Sequence, residues 1–141
     1  MADSFDITEL TNFEKNLVKL AHETMPKETK KFLREAGTKL RKKTLSKAKQ
    51  KVKKDTGYYF KSIKRGKVYI YKVNGALSIR VYSSAPHAHL IEDGHRQVTK
   101  DGREVGFVQG KHIFEDSEKQ FAGEYYNDIQ KLIDNVLDKG L

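Results

Sequence analysis

Four of the five histidines, His87, His89, His95 and His112, stand in one stretch with Glu92, Asp93, Glu115 and Asp116 beside them. Imidazole and carboxylate are ligands for zinc and for non-haem iron, so a metal site is the first chemistry this stretch suggests. The spacing opposes it. His87 and His89 are two residues apart and share no helical face, and the i,i+4 pair of an H-E-x-x-H helix is absent. The same histidines serve equally well as capping, packing and interface residues. Nucleophilic chemistry has less support. There is no cysteine, no Ser in a G-x-S-x-G turn, and Ser83-Ser84 before Pro86 reads as a turn cap. No P-loop and no G-x-G-x-x-G occurs, and the pairs Glu92-Asp93 and Glu115-Asp116 are adjacent acids of the kind found at helix ends. The expectation is a protein without catalytic residues, metal or cofactor.

Charge gives the stronger signal. The 141 residues carry a net +9, unevenly spread. Residues 27–54 hold thirteen Lys or Arg against Glu28 and Glu35, a net of +11, which leaves −2 for the rest. One basic element on a nearly neutral body should seek a polyanion or an acidic protein face. Lys39, Arg41, Lys42, Lys43, Lys47, Lys49 and Lys51 are the candidates for that contact. On nucleic acid they would give sequence-independent, salt-sensitive binding, with Tyr58, Tyr59 and Phe60 placed just beyond to stack on bases. The plain alternative is a solvated Lys-rich face. Membrane-surface binding ranks last, because the apolar stripe of this element is narrow and Ala-rich. No run approaches the ~20 apolar residues of a bilayer span, and Met-Ala-Asp-Ser-Phe-Asp lacks the order of a secretory signal. A soluble cytoplasmic product is expected.

The elements that must position these groups follow from periodicity. Leu10, Phe13, Leu17, Leu20 and Ala21 recur at helical spacing over 8–24, and Thr24-Met25-Pro26 reads as a break. A second helix follows from about Lys27 to Val52, with Phe32, Leu33, Ala36, Leu40, Thr44, Ala48 and Val52 as its stripe. Gly37 is its weak point, and its cations repel one another at i,i+4. Asp55-Thr56-Gly57 stops it. The pattern then switches to period two over 68–73 and 77–82, with Asn74-Gly75 as a two-residue hairpin turn. Pro86 opens a short helix over 87–93 that Gly94 ends. Residues 94–111 read as a flexible loop or a wide hairpin with Asp101-Gly102 at its tip. A last helix covers about 114–138 on Phe121, Tyr125, Ile129, Leu132, Val136 and Leu137, with Gly140 just past its end. Strands and helices are segregated, so the expected class is α+β in one domain over 1–141, with a small antiparallel sheet carrying the last helix. Its parts are a helical region (8–54), a sheet region (56–110) and the C-terminal helix (111–139).

Three segments in order carry a resemblance. Asp55-Thr56-Gly57-Tyr58-Tyr59-Phe60-Lys61-Ser62-Ile63 is similar to a T-G-x-L-x-x-S-I entry into a sheet, with Tyr59 where an apolar residue is usual. Ala85-Pro86-His87-Ala88-His89-Leu90-Ile91-Glu92-Asp93-Gly94 is similar to A-P-Y-A-x-x-x-E-x-G, with His87 for the aromatic. Residues 106–115 resemble a glycine-basic entry into a C-terminal helix, with Gln109 where Pro is common. Together, over about 30–138, the chain resembles the neck and tail-completion proteins of long-tailed bacteriophages. The resemblance implies a non-enzymatic α+β virion subunit at the head–tail junction, made in the host cytoplasm. It would form a homo-oligomeric ring with connector and tail proteins around DNA in transit, with no membrane role. It further implies a subunit-interface corner and adaptable loop built on Pro86, His87, His89, Glu92, Gly94, His95, Gly110 and His112.

Overall fold

The computed structural model describes residues 7–53 and 57–140, the side chains of 7–11 excepted. Leu10 of the first stripe, and Asp55 and Thr56 of the helix stop, therefore lie outside the residues whose side chains are described. Helix α1 (Ile7–Lys19) and helix α2 (Met25–Lys51) are joined by a π-helical turn, Leu20–Thr24. The break expected at Thr24-Met25-Pro26 is thus no loop. Proline has no N–H to donate and its ring collides with the carbonyl four residues back, here that of His22. The chain meets this by widening one turn, so that the Met25 N–H bonds Leu20 O, and the helix runs on.

Next come helix α3 (Tyr58–Ser62), strands β1 (Ile63–Arg65), β2 (Tyr69–Ile70), β3 (Leu77–Ser78) and β4 (Val81–Ser83), and helix α4 (Ala88–Asp93). Strands β5 (Gly94–Val98) and β6 (Glu104–Gln109) and helix α5 (Ile113–Gly140) complete the chain. The first hairpin forms, but it begins earlier and turns more widely than its sequence suggests. β1 pairs with β4 from Ile63↔Ser83 to Arg65↔Val81, and β2 with β3 at Tyr69↔Ser78 and Ile70↔Leu77. The turn is not the two residues Asn74-Gly75 but spans 71–76. It is closed by Tyr71 N–H to Ala76 O and Gly75 N–H to Tyr71 O, and Asn74 Oδ1 accepts from Ala76 N–H. That local side-chain bond offers the backbone an alternative to the tight turn. Residues 94–109 form the wide hairpin, with Gly94↔Gln109 at its root and Gly102 near its tip.

The core lies where α2, β1 and α5 meet. Ala48, Ile63 and Ile113 are wholly buried, with Tyr59, Phe60, Val81, Ile91 and Phe114 packed around them. Ser62 and Ile63 of the first motif thereby have reasons. Ile63 fills this centre, and Ser62, at the end of α3, bonds Tyr59 O and, at 2.6 Å, the Ser83 hydroxyl of β4.

The main partner of α5 is α2, which it follows antiparallel. Lys51 meets Asp116 at one end, Phe32 stacks at 5.7 Å on Tyr125 in the middle, and Leu20 abuts Gly140 at the other. Small or self-satisfied side chains allow this approach: Ala36, Ala48, Thr44 (Oγ1 to Leu40 O, 2.8 Å) and Ser117 (Oγ to Ile113 O, 2.6 Å) are all buried. Gly37 is no mere weakness. Arg65 and Ile79 lie across it, 3.0 Å from where a Cβ would stand. Gly140 is the last helical residue rather than a stop beyond it, and a side chain there would run into Leu20.

Glu92 joins α4 to α5. Its two carboxylate oxygens accept from the backbone N–H groups of Phe114 (2.9 Å) and Glu115 (3.0 Å), which the helix start leaves without partners. The Tyr59 hydroxyl is buried and has no hydrogen-bond partner among the described residues. Burial, and then the negative charge of Glu92, push its pKa up to about 12.

These contacts predict three outcomes. Gly94 and Gly102 have φ of 85° and 86°, but a Cβ on Gly94 would overlap the Val108 carbonyl while Gly102 faces open space. Gly102→Ala should cost about 1–2 kcal/mol from backbone strain alone, and Gly94→Ala roughly 3 kcal/mol or more, read from urea midpoints. Glu92→Ala should cost roughly 1–2 kcal/mol by uncapping α5. Tyr59→Phe should leave stability at pH 7 unchanged or higher, since no hydrogen bond is lost. With the folded pKa raised, stability is full below the unfolded value of about 10 and falls as pH rises through the folded one. The substitution should remove that alkaline slope, together with the component ionising near pH 12 in a tyrosine absorbance titration.

Candidate partner-binding surfaces

The basic helix does not present its charge on one face. Lys39 Nζ sits 2.9 Å from Asp128 and 3.7 Å from Glu124 of α5. Lys51 Nζ sits 2.9 Å from Asp116 and donates to Lys111 O. Arg41 Nε donates to Ile63 O on the hairpin side, at 2.9 Å. Three of the seven expected contact cations are therefore engaged within the subunit. Lys47 is half-buried and close enough to Asp116 to lower its pKa, and Lys43 is half-buried. Lys42 and Lys49 are exposed.

The ionisation of these groups follows their partners. The hydrogen bond from Lys51, then the Lys51 and Lys47 charges, hold Asp116 below the usual carboxylate range. The Asp128 hydrogen bond, then its charge and that of Glu124, hold Lys39 above the usual lysine value. The first interaction fails as pH falls through the lowered carboxyl pKa, the second as pH rises through the raised ammonium pKa, so both persist across the neutral range. At the start of α5, the Lys119 hydrogen bond keeps Glu115 low, with His112 Nδ1 also 3.1 Å away.

A second basic surface draws on three segments and was not visible as a unit in the sequence. A groove of about 470 Å³ opens between the first half of α2 and the hairpin. Lys30 and Arg34 line it from α2, Arg65 and Lys67 from the hairpin, and no acid joins them. Its apolar wall includes Val68, Tyr69, Ile70 and Leu77. Tyr59 and Phe60 pack against the core and leave only Tyr58 exposed, so they form no stacking platform.

The corner from 85 to 112 is largely knitted to itself. Lys111 N–H and His112 N–H donate to Ile91 O and Glu92 O. Gly110 lies so close to Glu92 and Gly94 that a side chain there would overlap their backbone. His112 takes a positive φ of 49° to make the turn. His95 is half-buried, its Nδ1 without a partner among the described residues. Pro86, His87 and His89 are exposed. No group of three or more His, Asp or Glu side chains able to hold a metal ion occurs among the described residues.

Large apolar side chains stand outside on α1 and both hairpins, and α5 adds Tyr126, Ile133 and Leu137, the last of them expected on its covered face. Helix α1 exposes Phe13, Leu17 and Val18; the first hairpin exposes Tyr69, Ile70, Tyr71 and Val73; the second exposes Val98, Val105 and Phe107. Of the described residues of the first stripe, only Leu20 is buried. No described helix is long and apolar enough to cross a membrane.

No curated protein and no solved structure matches the chain. Residues 11–94, more than half of it, match the family described as "Bacteriophage HK97-gp10, putative tail-component". The matched span holds α2, the first hairpin and the Pro86–Gly94 corner, that is, two of the three motif segments and the basic groove. The chain belongs to the HK97 gp10-like family of phage tail components.

Proposed function

We propose that this chain is a tail-completion or head–tail joining subunit, which forms a homo-oligomeric ring with connector or tail proteins and acts by binding rather than catalysis. Family membership supplies the phage setting. The observation that carries the assembly reading is the distribution of apolar side chains. Among the described residues eight hydrophobic side chains are buried, while α1, the two hairpins and α5 all carry exposed ones. Apolar patches kept on the outside of a small subunit mark surfaces that a partner covers. Its place is then the head–tail junction of the virion, reached from the host cytoplasm. In the corner, the outward residues Pro86, His87 and His89 are the ones placed to touch a neighbour. Glu92, Gly94 and Gly110 shape the backbone behind them.

A nucleic-acid contact has a specific observation in its favour, namely that Lys42 and Lys49 stand exposed on α2. They suit DNA passing through a ring, or an acidic neighbour.

Light scattering of the purified protein, alone and with the connector and tail proteins of its own operon, tests the proposal. The expected result is a shift from a small species to one discrete ring-sized complex. A discrete monomer that associates with none of them would overturn it. In parallel, if Lys42 and Lys49 touch phosphates, Lys42→Glu/Lys49→Glu should lower the log–log salt slope of DNA binding by about two.

A further inference from the structure

Helix α1 is weakly supported within its own subunit. Its substantial packing is with the π turn that continues it, and its thirteen residues extend about 20 Å. An isolated helix of that length is marginal in water, yet this one leaves Phe13 50%, Leu17 46% and Val18 58% exposed. Residues 1–14 contain Asp3, Asp6, Glu9 and Glu14 and no Lys or Arg. Lys15 and Lys19 follow Glu14 within the helix, so the arm is apolar along one stripe and the sequence is acidic only up to Glu14.

The groove between α2 and the hairpin has the opposite character. Lys30, Arg34, Arg65 and Lys67 surround it, no acid lies among them, and Ile70 on its rim is 65% exposed. The apolar cleft between α2, β3 and α5 offers no such charge pattern, since Glu118 is the one charged residue lining it. A subunit cannot fill its own groove with its own arm. The arm continues the helix of α2, whose first turns form one wall of the groove, and so leads away from it.

We infer that α1 of one subunit docks in the basic groove of a second copy, with Phe13 and Leu17 against the Tyr69–Ile70 wall and Glu14 toward the four cations. Two different patches meet, so the contact is head-to-tail and repeats until a ring closes. The inference rests on the ring reading above and gives that reading its interface.

The absence of cysteine makes the contact directly testable. Leu17→Cys and Ile70→Cys both alter exposed positions. Under mild oxidation the full-length double variant should give a ladder of disulfide-linked oligomers. The two single variants, mixed, should stop at the Leu17→Cys/Ile70→Cys heterodimer. The ladder should be lost in a Lys30→Glu/Lys67→Glu background, and should weaken as ionic strength rises from about 0.05 M to about 1 M, where the Debye length falls to about 3 Å. Absence of the ladder at low salt would overturn the inference. So would its survival after charge reversal, and the loss of DNA binding from that variant with the ladder intact would assign the groove to nucleic acid. The two readings separate cleanly. A ring-sized complex of wild-type protein without the cross-link removes this interface and keeps the ring. A ladder without a complex on any connector or tail protein keeps the interface and removes the junction role.

Discussion

A helix with the composition of α2 has a physical difficulty before it has a function. Its cations repel at i,i+4, and its apolar stripe is narrow. The fold answers with α5, which carries seven acids and three bases over residues 113–140 and lies antiparallel along it. Lys39 and Lys51 are tied to Asp128, Glu124 and Asp116 while Ala36, Thr44 and Ala48 let the backbones come close. Each such pair is partly exposed, so solvent screens it and its own contribution is small. Their larger effect is to remove the repulsion that would fray α2. The hairpin and the corner depend on the same contact, because Ile63 and Ile113 complete one core with Ala48.

Glu92 shows how the short motifs of the corner act together. The carboxylate reaches two N–H groups at the start of α5 while the neighbouring backbone carbonyls of Ile91 and Glu92 hold residues 111 and 112. Gly94 and Gly110 permit the backbones to meet there. The A-P-x-A-x-x-x-E-x-G pattern is thus a device for turning the chain into its last helix. What it leaves facing outward, Pro86, His87 and His89, is a smaller set than the motif itself.

Local signals made much of this fold legible. The period-two runs, the Pro86–Gly94 helix, the wide hairpin around Asp101-Gly102 and the last helix all depend on neighbours in sequence. The features that escaped depend on distance. Nothing in 27–54 says that Lys39 and Lys51 face acids 65 to 89 residues away, which only the antiparallel register of α2 and α5 decides. The groove draws on Lys30, Arg34, Arg65 and Lys67 from separate segments. The turn at 71–76 widened because the Asn74 side chain bonds the backbone locally. The stripe of α1 has the periodicity of a core face, and periodicity cannot tell a covered stripe from an uncovered one.

The π turn before Pro26 also sets a direction. Placing one additional residue in a helical turn shifts the phase of all that precedes it by about a quarter of a revolution. The stripe of Phe13 and Leu17 therefore leaves the subunit at a different azimuth from the one that Leu33 and Ala36 would impose through an unbroken helix. Leu20, wedged against Gly140, fixes the pivot. A single imino acid thus acts as the aiming device of the arm, and the bearing it sets is the angle at which the neighbour inferred above would have to approach.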